Sequence, residues 1–412
     1  MSFALRIILA FLIIFLIEFY FMRKIVNGIQ IFFPKTNPKK IKRIIRIVMA
    51  YINIYPLYLV IAWFLSSQTR VDLPDTIWFH YFIVYPFWVG ILIIIQSILI
   101  LLAVDLLRII FSPFLKKYKN KINSYSRRFT FVLVSFFILY VPGRIIYDYY
   151  TVSIRIKEFK VANLHPDLRG LKITFIADIQ ADRYTDRARL ENYIEKVNST
   201  HPDLVLIAGD LITSTPNYIN LAAEMVGKIK AKYGIYTCVG DHDHWSYRDD
   251  TKRSVREMTT ALAKYNIKMV DNNKIDLVIG RSLMRLTFVT NTYVNRLTGN
   301  SLDTLLNNKG YDLKILIVHQ PGDSLIQKAK FYNYNLFLAG HTHGGQVTFI
   351  FPYLQISPTM FETRYMRGDF YFGNMLMIVT RGLGMSLVPF RYNSTPEVTV
   401  IILNDKKQII SN

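Results

Sequence analysis

The chain has 412 residues, 51% of them hydrophobic, with 50 Lys and Arg against 29 Asp and Glu and a net charge of +21. That length fits two or three ordinary domains. The single cysteine, Cys238, excludes an intrachain disulfide and a zinc site built on several thiolates. The basic balance invites a nucleic-acid partner, but its distribution argues for no nucleic acid. Residues 1–154 hold 18 of the Lys and Arg and only 5 of the Asp and Glu, clustered between apolar segments as in a membrane protein.

Four apolar segments, 4–22, 44–65, 77–107 and 129–146, approach or exceed the ~20 residues that cross a bilayer. They define residues 1–147 as a transmembrane region with about four helices. The first has one early basic residue, Arg6, and no small-residue cleavage site after it, so it reads as an uncleaved anchor. The third is long enough to tilt or run into the interface. Trp63, Trp78 and Trp88 lie near segment ends, where interfacial aromatics belong. Glu18 and Asp105 fall within or near the spans, as candidate functional carboxylates or as headgroup contacts.

The loops 23–46 and 108–128 are rich in Lys and Arg, whereas 66–76 has one Arg and two Asp. The positive-inside rule places the first two in the cytoplasm. Four crossings then put the part of the chain after residue 147 on the periplasmic or extracellular side of a multi-pass cell (inner) membrane protein. The basic loops are expected to attract anionic headgroups.

Residues 148–170 read as a linker and first strand. Strands and helices then alternate, as in a layered α/β fold. Helices are expected over 185–199, 217–232 and 252–265. Five apolar runs read as buried strands, and each ends in potential ligands. Run 171–177 leads to Asp178-Ile179-Gln180, and 204–208 to Gly209-Asp210. Run 235–239 contains Cys238 as a core residue and leads to Gly240-Asp241-His242-Asp243. Run 313–318 leads to His319, and 335–339 to Gly340-His341-Thr342-His343-Gly344-Gly345. Sites in open α/β sheets are built at that edge, and flanking glycines allow close approach. The stretches 274–279, 284–290, 375–380 and 398–403 read as strands of a second sheet without intervening helices. No internal repeat or low-complexity tract is visible.

The ordered motifs Asp178-x-Gln180, Gly209-Asp210, Gly240-Asp241-His242-Asp243, His319 and Gly340-His341-x-His343 resemble the calcineurin-like metallophosphoesterase family. The resemblance covers roughly 155–404, within a domain taken as 155–412. The tail, with Arg381-Gly382-Leu383-Gly384, Pro389-Phe390-Arg391 and Pro396-Glu397-Val398, is similar to the family's membrane-associated bacterial branch. The resemblance implies a four-layer αββα sandwich after the α-helical transmembrane region. Two positions depart from the family pattern, Gln180 where His is usual and Asp241 where Asn is usual. Asp178-Ile179-Gln180 is similar to the branch of manganese-dependent ADP-ribose/CDP-alcohol diphosphatases.

By that resemblance two divalent metal ions are expected, with Asp210 as the bridging carboxylate. Asp178, Gln180 and His343 would hold one, and Asp241, His319 and His341 the other. Oxygen donors favour Mn2+, with Fe, Zn or Mg as alternatives. His242 matches the family position for a catalytic cation or acid, and Asp243 is expected to orient it. His244 is expected to be solvated. Arg381 and Arg391 are expected either to hold a second phosphate or to form surface salt bridges. His80, His165 and His201 read as structural.

The expected activity is hydrolysis of a phosphodiester, phosphomonoester or pyrophosphate by a metal-dependent phosphoric ester hydrolase. Four spans exceed what tethering requires, so the expected partners are the lipid bilayer and a phosphorylated lipid or lipid-linked substrate. The alternatives are a hydrolase of nucleotides or nucleoside-diphosphate derivatives, and a non-catalytic metal-binding membrane sensor. The sequence fixes no oligomeric state.

Overall fold

The computed structural model describes residues 3–65, 73–74, 76–114, 116–351 and 354–406. Most of the expected external loop 66–76 lies outside them. The chain divides into two compact units, Met1–Arg144 and Ile145–Asn412.

The first unit is helical. It contains α1 (Phe3–Phe32), α2 (Pro38–Ile52), α3 (Ile54–Leu65) and α4 (Ile77–Phe79). A π-helical stretch, His80–Val84, joins α4 to α5 (Tyr85–Phe111), and α6 (Lys119–Tyr150) follows, its residues from Ile145 on belonging to the second unit. Asn37 caps α2 by accepting from the Lys39 N–H, and Pro38 occupies its first turn. Among the described residues, Pro38–Leu65, Ile77–Phe111 and Lys116–Tyr150 are long and apolar enough to cross a membrane. The expected first span lies inside α1.

The basic segments 23–46 and 108–128 are largely helical rather than loops. α1 continues through Arg23 and Lys24, and α2 starts at Pro38. Lys and Arg are good helix formers, so these cations extend the helices. Glu18 meets Asn53, whose Nδ2 donates to both carboxylate oxygens at 2.8 and 2.9 Å.

The second unit runs β1 (Ser153–Val161), β2 (Lys172–Ile176), α7 (Arg187–Asn198), β3 (Leu204–Ile207), α8 (Ile219–Val226), β4 (Ile235–Cys238), α9 (Thr251–Ala263) and β5 (Ile267–Val270). It continues with β6 (Asn273–Ile279), β7 (Ser282–Val289), α10 (Gly299–Leu306), β8 (Leu313–Val318), α11 (Asp323–Phe331) and β9 (Leu336–Ala339). The remaining strands are β10 (Phe349–Phe351), β11 (Leu354–Ile356), β12 (Gly368–Phe372), β13 (Met375–Val379) and β14 (Glu397–Asp405).

Two sheets form, in the orders β1-β14-β2-β3-β4-β5 and β12-β13-β9-β8-β7-β6, with β10 and β11 as a separate antiparallel pair. Side chains alternate between faces along each strand. Leu204 and Leu206 of β3 thus point to the core between the sheets, with Phe175, Phe288, Ile315 and Leu338. Val205 and Ile207 point outward, against α7, α8 and α9. On the other sheet, Leu316, Val318 and Phe337 meet α10 and α11. The result is the four-layer αββα sandwich.

The expectation of a second sheet without helices, built in part from 398–403, is corrected here: that stretch is β14, which lies in the first sheet between β1 and β2. β7, β8 and β9 pair in parallel, and parallel neighbours need a crossover, which α10 and α11 provide. α8 is also shorter than expected and ends at Val226.

Candidate metal centre

All seven candidate ligands follow strand ends on one edge of the sandwich. Asp178 and Gln180 follow β2, Asp210 follows β3, Asp241 follows β4, His319 follows β8, and His341 and His343 follow β9. Five of them hold left-handed backbone: Asp178 (φ 52°), Gln180 (51°), Asp210 (57°), His341 (73°) and His343 (50°). Such residues cost on the order of 1 kcal/mol each and cluster at functional sites. The turn they make directs each side chain back over the strand ends. Glycines make room for it. A Cβ on Gly240 would meet Asp210 Oδ1 at 2.2 Å, and one on Gly382, at φ 64°, would meet Asp178 Oδ2 at 2.6 Å.

His319 sits at the centre. Its Nδ1 meets the Ala208 carbonyl at 2.7 Å, so Nε2 faces Asp210 Oδ2 at 3.2 Å and Asp241 Oδ2 at 3.3 Å. His341 places Nδ1 3.1 Å from Asp241 Oδ2, and its backbone N–H donates to Asp178 Oδ1 at 3.0 Å. His343 Nε2 is 3.9 Å from Asp178 Oδ1. Gln180 donates through Nε2 to Asp210 Oδ2 at 2.8 Å. Two overlapping groups, Asp241–His319–His341 and Asp178–Asp210–His319, have donor atoms close enough to hold a metal ion.

The electrostatics match this packing. Burial pushes the Asp178 carboxyl up to about 6, against the pull of the His319 charge. Burial would also raise Asp241, but hydrogen bonds from His319 and His341 hold it well below the usual carboxylate range. Burial opposes protonation of His341, yet its bonds to Asp241 and Glu362 raise it to about 9. His343 goes the other way, lowered by burial and then by the charge of Arg391.

The donor set fits divalent cations. It offers three carboxylates and three imidazoles, and the buried Gln180 Oε1 has no hydrogen-bond partner among the described residues. A buried orphan acceptor destabilises a protein unless something satisfies it. Both departures from the family pattern therefore keep an oxygen donor in the cluster.

The profile of the Calcineurin-like phosphoesterase family matches residues 171–345. A Bacillus subtilis protein, "Uncharacterized metallophosphoesterase YkuE", is 31% identical over 240 residues, 57% of this chain and 79% of that protein. This chain belongs to the calcineurin-like metallophosphoesterase family. A Danio rerio relative, "Transmembrane protein with metallophosphoesterase domain", is 26% identical over 260 residues, 60% of this chain and 56% of its own length. The chain thus spans little more than half of that second relative. As a metallophosphoesterase, the chain is a metal-dependent phosphoester hydrolase.

Several residues of this metallophosphoesterase act differently from expectation. Asp243 does not orient His242. Its carboxylate accepts from the backbone N–H groups of Asp210 (2.9 Å), Leu211 (2.9 Å) and Gly240 (2.8 Å), pinning the ends of β3 and β4 together. His242 is instead oriented by the Thr213 carbonyl at Nδ1, and its Nε2 meets Ser386 Oγ at 3.1 Å. His244 is buried rather than solvated. Arg391 is also buried, donating to the carbonyls of Gly384, His343 and Ser394. Arg381 lies 3.5 Å from Glu397. Neither arginine lines the cleft over the ligands.

Sequence reasoning missed Glu362, Tyr293 and Gln320. Glu362 Oε1 meets His341 Nε2 at 2.6 Å and also accepts from Tyr293 Oη. The Tyr293 N–H and Gln320 Nε2 donate to Asp241, each at 2.6 Å. Only Gln320 had a signal, its adjacency to His319.

Proposed function

We propose that the chain is a membrane-anchored, dinuclear-metal phosphoesterase acting on a phosphorylated lipid or lipid-linked substrate. Asp178, Gln180 and His343 would hold one ion and Asp241, His319 and His341 the other, with Asp210 shared. Mn2+ is the favoured metal because Gln180 and Asp241 add oxygen donors. A bound pair of divalent ions supplies charge neutralisation at the phosphoryl oxygens and a nucleophile from water at neutral pH.

The protein's own groups do the rest. The Thr213 carbonyl takes up His242 Nδ1–H, which leaves Nε2 at the cleft, beside Ser386, to pass a proton to the leaving oxygen. Asp243 contributes by fixing the backbone that carries Asp210 and Gly240.

The observation that carries the lipid reading is the mouth of the cleft. This cleft of ≈ 300 Å³ is lined by Leu387, Pro358 and Thr359 as well as by His242 and His341. Leu387 is 96% exposed at φ 64°, and Phe361, in the same turn as Pro358, is 94% exposed. Two large apolar side chains held out beside the cleft, Leu387 in strained backbone, favour an apolar partner.

The test compares hydrolysis of a long-chain phospholipid in bilayers with that of a soluble aryl phosphodiester, in the full chain and in Leu387→Ser/Phe361→Ser. Loss of kcat/KM on the lipid by roughly tenfold or more, with the soluble ester nearly unchanged, is the expected result. Equal effects on both substrates would remove the lipid reading. One feature favours a nucleotide substrate instead. Tyr293 is exposed between this cleft and a second cavity of ≈ 450 Å³ that carries Arg296. Faster turnover of ADP-ribose-like compounds than of lipid would establish that alternative.

The proposed location is the cell membrane, with the catalytic unit on the periplasmic or extracellular side. That sidedness requires α1 to cross as well as the three other spans. Because Cys238 is buried, cysteines introduced on the catalytic surface report sidedness cleanly. Labelling by an impermeant maleimide in intact cells supports the outside placement, and labelling only after lysis reverses it.

A further inference from the structure

The first unit contains a polar site that phosphoester hydrolysis does not use. Tyr20 and Lys24 of α1, Asp105 and Arg108 of α5, and Asn123 and Ser126 of α6 form one hydrogen-bonded frame. Asp105 accepts from Tyr20 Oη at 2.8 Å and from Lys24 Nζ at 2.6 Å, and Arg108 Nη1 reaches it at 3.3 Å. Arg108 then donates to Ser126 Oγ at 3.0 Å and to Asn123 Oδ1 at 2.5 Å. A cavity of ≈ 450 Å³ opens on this frame and is also lined by Arg23 and Arg127. A second, of ≈ 530 Å³, shares Lys24, Asp105 and Arg108 and adds Lys116 and Lys119.

Asp105 is the only carboxylate in either lining, against six cationic side chains. It is already shared by Lys24 and Arg108. Among the described residues, Arg23 and Arg127 have no carboxylate partner. Charges that only orient helices in a bilayer need no pocket, and Lys39 and Lys40 of α2, which line neither cavity, are of that kind. Here the cations converge on a concavity between apolar helices, and guanidinium forks match phosphate oxygens. The geometry points to a binding site for an anionic phosphate group, of the class carried by acidic lipid headgroups, in which Arg23 and Arg127 clamp the phosphate and the Asp105–Arg108 frame holds its floor. Basic pockets between membrane helices recognise lipid headgroups in this way. The inference goes beyond the proposed hydrolysis and does not depend on it.

The test uses the purified full chain in micelles containing either phosphatidylglycerol, which is anionic, or phosphatidylcholine, whose phosphate is masked by an ammonium group. Native mass spectrometry counts the retained lipid. Wild type is expected to retain the anionic lipid preferentially. Arg23→Gln/Arg127→Gln is expected to weaken that retention roughly tenfold, while Lys39→Gln/Lys40→Gln stays within about twofold. Equal loss in both double variants, or no lipid preference in wild type, would overturn the site. If the first variant fails to fold, Lys116→Gln/Lys119→Gln carries the same comparison. Millimolar inorganic phosphate separates the two sources of ligand. Displacement of the lipid from wild type assigns the site to free phosphate, and undisturbed retention assigns it to a headgroup.

Discussion

The two units of this chain solve opposite problems. In the helical unit large apolar side chains face outward, such as Leu139, 77% exposed, while Lys24 and Asp105 shelter between helices. In the catalytic unit the apolar side chains fill three cores, and buried charge is concentrated at one edge of the sheets. The difference lies in the surroundings each surface meets. Lipid accepts an exposed leucine at no cost, whereas water leaves apolar burial as the main stabilising term.

The largest expected effect tests the buried charge. Asp210→Asn removes the carboxylate shared between the candidate ligand groups. It should lower metal-dependent hydrolysis of an aryl phosphodiester about a thousandfold, as several kcal/mol of transition-state stabilisation are lost. Near-wild-type turnover would show that the strand-end cluster is not the reaction centre.

Next in size is a direct test of the comparison. Leu139→Lys places an ammonium on a surface read as lipid-facing. It should cost about 2.5–3.5 kcal/mol of insertion, seen as loss of the protein from the membrane fraction. Val278→Lys, at a position 69% exposed in the catalytic unit, should shift the melting temperature by no more than about 0.5 kcal/mol implies. Similar behaviour of the two variants would erase the distinction between the units.

A smaller effect concerns Glu362. As the partner of His341 Nε2 it supports a ligand from behind, and Glu362→Gln should weaken metal binding about 10–100-fold. The pH dependence gives the sign. His341 is raised to about 9 by Asp241 and Glu362, so below that pH a metal must displace its proton. Affinity measured by calorimetry should therefore rise with pH up to about 9. Without the Glu362 charge the rise should finish at a lower pH. An unchanged profile would mean that His341 does not ligate.

The ligand-bearing edge was legible in the sequence because strands buried on both faces read as unbroken apolar runs. Where each run stops, Asp178, Asp210, Asp241, His319 and His341 stand at the stop. Glu362 and Tyr293 were not legible, since they come from loops without periodicity and reach His341 only through strand order. α10 and α11 escaped notice because helices of 8 and 9 residues offer barely two turns of pattern. The role of Asp243 was misread because its position beside His242 in sequence says nothing of where its carboxylate points. Asp243 lies in the 3-10 turn His242–His244, and its carboxylate reaches the backbone N–H groups of Asp210, Leu211 and Gly240 instead.

The position of β14 has a consequence for timing. It lies between β1 and β2, so that Ser153 pairs with Glu397 and Phe175 with Thr399. During synthesis β1 emerges immediately after the membrane helices, yet its ladder partner is made more than two hundred residues later. The first sheet therefore stays incomplete until β14 has been made, and pairing over such a separation is slow. The apolar helices can settle while the hydrolase is still unfinished, which ties the onset of activity to the arrival of β14.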